Sequence, residues 1–489
     1  MISIFYVLTF GLGCSQPQQQ LEQPNIILIS IDGLRADHVG IYGNPNNPTP
    51  SVDRLGKEGI VFENGFSQSN ESLFSHASLF TGRYVSEIAE PDYQTFVVPD
   101  EAVLVSEVLQ NYGYQTGGFI AGGHVRGNYG FNQGFDEWND SADFGSFFHK
   151  TPQALAWLEQ SDRTRPFFMI FHGYDLHRPY LHAQAFFHIF DGEYRGPADQ
   201  FARRRDTERI YNGEFYGNFP LTHFNHPVGE PILDPFNYER LKQWAATHQG
   251  RPLSEEDEQH LKDHYDSAAL AADLQIGILI EYLQSEGLWD NTLIIATADH
   301  GEDLGEHGFY NHRSTLQDST TKVPLIVSGG WLSEEFRGTK DKTIANAIDI
   351  VPTILTSANA MLPAGLKGRD LLSKEPTSSV GISIQEGVLP MVSIRTHQFR
   401  LLFEGMPLSS PLFTLALSAA PLEEPWFYLY DLHTDPSAQT NRIAENQQTA
   451  ELLRQELLQW RKTMQRSTVR GTQPTDPKLK ALLQSRGYW

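Results

Sequence analysis

The run from Asn291 to His312, NTLIIATADHGEDLGEHGFYNH, constrains this chain more than any other stretch. Leu293, Ile294, Ile295 and Ala296 are continuously apolar and rich in branched side chains, the pattern of a short strand covered on both faces. Thr297, Asp299, His300, Glu302, Asp303, Glu306, His307 and His312 follow at once, with Gly301, Gly305 and Gly308 allowing sharp turns between them. In an open parallel sheet ligands collect beyond the carboxyl ends of the strands, so this order of residues sets a carboxylate and an imidazole at that rim. A second run, Asn25 to Ile31 (NIILISI), has the same character and ends in Asp32. An acidic loop after one core strand is usually only solvated; two buried strands that each end in aspartate point to a shared site.

Other segments fit around that sheet. Tyr114 to Ile120 and Pro166 to Phe171 read as further core strands, the latter delivering His172 and His177 to the same rim. His172 reads as a packed core histidine and His177, within HRPY, as a functional one. Ser51 to Ile60 is expected to be a short helix capped by Ser51. Ala77 to Phe80 suit a buried helix stopped by Gly82, with Ser72 just before its N-terminus, where negative charge is favoured. Ser254 and Asp257 form a capping-box pattern, after which Ala268, Ala272, Ile276, Leu279 and Leu283 recur at helical spacing until Gly287. This helix is expected to pack on the strand that leads to Asp299. From about residue 378, alternating runs such as Met391 to Arg395 and Phe399 to Phe403 predict a small antiparallel sheet, and Leu453, Leu457, Trp460 and Met464 a late amphipathic helix against it.

The expected architecture is α/β: a large mixed, mainly parallel sheet flanked by helices over residues 25–375, and a smaller C-terminal α+β subdomain over 376–489. Residues 183–250 read as an insertion rich in aromatics, with the basic run Arg203-Arg204-Arg205, to which substrate selection is assigned as an expectation. Lys and Arg total 37 against 60 Asp and Glu, a formal charge of -23, which argues against a nucleic-acid partner. An anionic substrate needs a local cationic pocket to overcome that field, and a divalent ion among histidines supplies one.

Residues 1–24 read as a leader and tether. The only cysteine, Cys14, follows the apolar run Ile4 to Leu12 and precedes a polar segment. The run is too short to span a bilayer and suits the core of an export signal. It resembles a bacterial lipoprotein signal, which implies export to the periplasm or outer surface and a lipid anchor on Cys14. Two features depart from that pattern: no Lys or Arg precedes the apolar run, and Gly11 stands where Leu is usual.

Taken together, Ser72 to Arg83, Ile29 to Gly43 and Thr297 to Gly308 resemble the sulfatase family within the alkaline-phosphatase superfamily. ADHGEDLGEHG is the most specific of these runs, and Gly134-Phe135-Asp136, GLWDNT at 287–292, Val323-Pro324-Leu325-Ile326 and YLYDLHTDP at 428–436 agree with it. The resemblance implies an alkaline-phosphatase-like fold and a metal-dependent hydrolase of sulfate esters on a sulfated carbohydrate or aryl sulfate. Ser72 stands at the position of the nucleophile, a formylglycine made from cysteine or serine. Asp32, Asp299 and His300, together with Ser72, stand at metal-ligand positions, where calcium is the usual ion; a histidine ligand also admits manganese or zinc. His177 matches the histidine that contacts the sulfate and protonates the leaving alcohol, His312 a residue that grips the sulfate, and His124 one that assists release from the covalent intermediate.

The departures are specific. Gly33 replaces a second metal aspartate. Phe74 and His76 stand where the maturation signal has proline or alanine and then arginine, so His76 takes the place of an arginine that holds the nucleophile. With Cys14 in the leader, formylglycine can come only from Ser72, through a serine-type maturase. An unmodified Ser72 beside a divalent ion would suit a phosphodiesterase or phosphotransferase instead, and a non-catalytic anion-binding relative is the third reading.

Overall fold

In the computed structural model, residues 23–465 are described apart from 92–94, 142–143, 178–185, 187–188, 193, 195–253, 307–311, 314, 375–379, 387–389 and 409; beyond 465, residues 467 and 469 are described. The leader with Cys14 lies outside the described residues, as does the expected insertion save Phe186, residues 189–192 and Tyr194.

Eight strands make one sheet: β1 (Asn25–Ile31), β2 (Ile60–Phe66), β3 (Gln115–Phe119), β4 (Glu137–Asn139), β5 (Phe167–Gly173), β6 (Thr292–Thr297), β7 (Leu325–Ser328) and β8 (Thr339–Asn346). Their order is β4-β3-β5-β1-β6-β7-β2-β8. β1 pairs in parallel with β5 and β6, so the two aspartate-ended strands are neighbours at the centre. β7 runs antiparallel to both β6 and β2, which makes the sheet mixed.

The strand alternation sorts the core into two layers. Ile26, Leu28, Leu293 and Ile295 face one layer, with Leu73, Ala77 and Phe80 from the helix Ser72–Thr81, Leu109 from Val105–Asn111, and Ile354 from Ile350–Ser357. Ile27, Ile29, Ile294 and Ala296 face the other, with Val52 and Leu55 of Pro50–Glu58, Ala154 and Leu158 of Phe147–Gln160, and Ala268, Ala272, Ile276, Leu279 and Leu283 of Glu255–Ser285. The long helix therefore packs on β6 as its periodicity predicts. Its capping box is present, with Asp257 N donating to Ser254 Oγ at 3.1 Å.

The cap of the first helix differs from expectation. Pro50 occupies its first turn and Thr49 the cap position, while Asp273, from the long helix, accepts from Ser51 N and Val52 N at 2.8 Å each. A carboxylate from across the interface thus satisfies the exposed amides that Ser51 was expected to cap.

The smaller sheet is antiparallel in the order β12-β11-β10-β9, from β9 (Gly381–Gln385), β10 (Met391–Arg395), β11 (Phe399–Glu404) and β12 (Phe427–Asp431). Leu453 and Leu457 of the helix Gln447–Thr463 pack on it with Ile394, Leu401 and Phe403. It is tied to the large sheet's side by Arg395, whose Nε and Nη2 each donate to Asp318 at 3.1 Å, and by Arg400, which donates to Asp318 and, at 2.8 Å, to Gln317 Oε1. The fork geometry of the guanidinium makes such paired contacts directional as well as attractive.

Candidate active site

Three chain ends meet at the carboxyl rim of the central strands. Asp32 follows β1, and Asp299 and His300 follow β6. The third is the helix Ser72–Thr81, all of whose residues are buried. Ser72 is the first residue of that helix rather than the one preceding it, and Glu71 takes the cap position. Gly82 ends the helix with φ 65°, as expected of a left-handed stop.

Ser72 Oγ lies 3.1 Å from Asp32 Oδ2 and 3.1 Å from His300 Nε2. His300 Nδ1 donates to Gly301 O at 2.8 Å, which turns Nε2 toward Ser72. Gly301 permits this turn because a Cβ there would stand 2.1 Å from Ser319 O. Asp299 Oδ1 accepts from Gly33 N at 3.0 Å and from His300 N at 2.9 Å. Gly33, the departure from the family pattern, has φ +73° and contributes its amide where a carboxylate is usual.

These contacts leave a pocket suited to a cation. Asp32 Oδ1 and Asp299 Oδ2 are buried and accept no hydrogen bond among the described residues. Ligand atoms of Asp32, Asp299 and His300 all lie within 4.8 Å of one another. Ser72 Oγ, 3.1 Å from both Asp32 Oδ2 and His300 Nε2, stands beside these ligand atoms. Burial, and then the charge of Asp299, pushes the Asp32 carboxyl well above the usual carboxylate range. Asp299 is desolvated as deeply, but His300 and His76 outweigh that and draw it down to about 2. Two carboxylates and an imidazole with unsatisfied oxygens fit a divalent ion.

His76 sits behind this pocket. Its Nδ1 donates to Ser72 O at 2.8 Å and its Nε2 is 3.0 Å from Ser30 Oγ, so neither nitrogen reaches Ser72 Oγ as an arginine at that position was expected to. The reason is reach: from one turn along the same helix, the short imidazole meets the backbone carbonyl first. Burial lowers its pKa, which favours the neutral ring.

A histidine row extends outward from there. The His312 ring stacks on His300 at 4.2 Å, and His312 Nδ1 is held by Glu302 Oε2 at 2.9 Å. His177 is 5.4 Å from His312 and 5.6 Å from Tyr174, ring to ring. His124 lies one step further out: its backbone N donates to Tyr174 Oη at 3.0 Å, and burial, with Arg313 and His177 nearby, holds its pKa well below the usual value. Arg313, anchored on Glu71 at 3.0 Å, adds a guanidinium to this side.

His172 is buried, as expected of a packed histidine, and it packs beside the site. Its Nε2 is 4.0 Å from Asp32 Oδ2, and its ring meets His76 at 5.0 Å edge to face. The signal lay in register: on β5 it shares parity with Phe168 and Ile170, and it pairs with Ser30 of β1, which bonds His76. Glu302, the partner that orients His312, was one acidic residue among several in the sequence run.

A family profile described as Sulfatase matches residues 24–360. Among curated proteins, an N-acetylglucosamine-6-O-sulfatase of Bacteroides thetaiotaomicron is 26% identical over 412 residues, covering 73% of this chain and 72% of that protein. An ulvan-active sulfatase of Formosa agariphila is 25% identical over 398 residues, covering 76% and 71%. Among solved structures, one in complex with its substrate D-glucosamine-2-N,6-O-disulfate superposes with a TM-score of 0.68 at 21% identity, covering 90% of this chain and 98% of that one. A phosphonate monoester hydrolase of Agrobacterium radiobacter superposes at 0.63 with 18% identity, covering 90% and 96%, a likeness of fold. With the profile spanning most of the chain and both aspartate-ended strands inside it, this protein belongs to the sulfatase family.

Proposed function

We propose that the protein is a metal-dependent hydrolase of sulfate esters acting on a sulfated carbohydrate, with residue 72 as its nucleophile. The observation that carries this reading is Ser72 Oγ at 3.1 Å from both Asp32 Oδ2 and His300 Nε2, in a chain of this family. Asp32, Asp299 and His300 would hold the ion, which we assign as calcium on the strength of its two carboxylates. Bound there, a divalent cation would lower the pKa of an adjacent hydroxyl and neutralise charge on the ester's non-bridging oxygens.

The protein's own groups then divide the work. After a serine-type maturase has oxidised the Ser72 side chain to formylglycine and water has added to the aldehyde, one hydroxyl of that hydrate would pass its proton to the neighbouring Asp32 carboxylate and attack sulfur. His177 donates a proton to the departing alkoxide, giving the free alcohol as the S–O bond breaks. His312, held by Glu302, and Arg313 neutralise the sulfate oxygens in a molecule whose overall charge is -23. His124, beyond Tyr174, would serve release of sulfate from residue 72. The proposal extends to a lipid anchor on Cys14 at the cell envelope, a catalytic unit over residues 25–375 and a subdomain over 376–489.

A second reading, phosphodiester or phosphonate ester hydrolysis by unmodified Ser72, is favoured by one feature, Phe74 and His76 in the maturation signal. Mass spectrometry of the peptide around Ser72, from protein made with and without a serine-type maturase, separates the two, because formylglycine lacks two hydrogens of serine. Paired assays on a 6-O-sulfated amino sugar, an aryl sulfate and an aryl phosphodiester complete the test. Turnover of the phosphodiester alone, with Ser72 intact, would overturn the sulfatase reading. Turnover of none, with the ion present, would leave an anion-binding relative.

A further inference from the structure

A second convergence of metal-ligating side chains lies outside the site already described. His260 and His264 are one turn apart on Glu255–Ser285, so their side chains project from the same face of that helix. Both are buried, each 1% exposed. Asp191 comes from the segment that follows β5, and ligand atoms of Asp191, His260 and His264 all lie within 4.8 Å of one another. Asp191 Oδ2 is paired with His260 Nδ1. The His264 ring meets the His260 ring edge to face at 4.4 Å, and Tyr194 covers the other side of His260, stacked at 3.9 Å.

The chemistry of this set differs from a simple ion pair. A carboxylate and two imidazoles are brought together out of solvent, and neutral imidazoles there would offer nitrogen lone pairs as metal ligands. Two imidazole nitrogens and one carboxylate oxygen, drawn from a rigid helix and a separate segment, match the donor set of zinc-class ions and lack the oxygen count calcium requires. Two histidines at this spacing on one helix face are a recurrent way to supply half of such a site.

We propose that Asp191, His260 and His264 form a second, structural metal site for zinc or a similar divalent transition ion, which fastens the segment after β5 to the long helix. That segment follows the strand carrying His172, and the helix contacts the loop after Asp32 through Tyr265, the residue next to His264. The ion would thus tie the residues around Asp191 to the helix that carries Tyr265. This proposal is independent of which ester the enzyme cleaves.

The test uses the full chain and zinc itself. Asp299→Ala protein, which lacks a ligand of the catalytic pocket, is expected to retain one tightly bound zinc by elemental analysis after gel filtration. His264→Ala and the more conservative Asp191→Asn are expected to lose it, with affinity lowered by more than about 100-fold, beyond the effect of losing an outer-shell partner. Cobalt substituted at the site should give visible absorption of a low-coordinate ion, absent in both variants. Far-UV circular dichroism identifies the variants that remain folded. Folded Asp299→Ala protein that binds no zinc would overturn the proposal, as would zinc retained equally by folded Asp191→Asn or His264→Ala protein.

Discussion

Two carboxylate–histidine clusters in one molecule are built differently. At the rim, Asp32, Asp299 and His300 stand on the ends of adjacent parallel strands, and Ser72 enters from the buried helix that begins there. Their supports are backbone amides and carbonyls: Gly33 N on Asp299, Gly301 O on His300. The second cluster, Asp191 with His260 and His264, is carried by one helix face and one connecting segment, with Tyr194 stacked over it. The first combines two carboxylates with one imidazole and leaves a hydroxyl facing the pocket. The second combines two imidazoles with one carboxylate and has an aromatic ring as its cover. The difference teaches that the chemistry of a cluster follows the donors' anchorage: two strand ends bring two carboxylates together, whereas one helix face brings two imidazoles together and needs a separate segment for its carboxylate.

The sharpest way to break the contrast is to remove a ligand from each cluster in turn. Asp299→Ala is expected to lower kcat/KM on the preferred sulfate ester by about 10³-fold or more, since the electrostatic stabilisation of the reacting anion goes with it. The rate should not return on adding calcium. A loss of under tenfold would remove the rim cluster from catalysis.

His177→Ala should cost about 10²-fold on an alkyl or sugar sulfate and much less on an activated aryl sulfate, whose phenoxide leaves without a proton. The measurement is a leaving-group series with both proteins. An equal loss across the series would show that His177 binds the anion rather than protonating the leaving group.

Tyr265 sets the smallest expected effect and the finest distinction, because it sits next to His264 yet serves the rim. It donates to Gly33 O and accepts from Arg35 N at 2.9 Å. Tyr265→Phe leaves those two buried backbone groups unpaired, at a cost of about 1–3 kcal/mol in a urea titration. Zinc retention by the second cluster should be unchanged. Loss of zinc together with stability would make the two clusters one cooperative unit.

Much of the framework was readable from local pattern. Continuous apolar runs ending in Asp32 and Asp299 located two central strands, because a strand covered on both faces has few alternatives. The repeat from Ala268 to Leu283 located the long helix and the surface it covers. His172 reads as a core residue after Phe167–Phe171 and is buried as one; that it packs beside the site follows from its pairing with Ser30 across the sheet. The antiparallel course of β7 and the cap from Asp273 on Ser51 N and Val52 N were equally invisible, being set by partners remote in the chain.

By itself, the order of residues determined which segments are buried, where they stop, and that acids and imidazoles stand at those stops, since these properties depend on neighbours within a few residues. Only the tertiary structure decided which atoms remain to act. Asp299 spends Oδ1 on two backbone amides and keeps Oδ2, His300 spends Nδ1 on a carbonyl and keeps Nε2, and His76 spends both nitrogens behind Ser72. A polar atom's freedom depends on every donor and acceptor that folding brings within reach, and most of those come from distant parts of the chain.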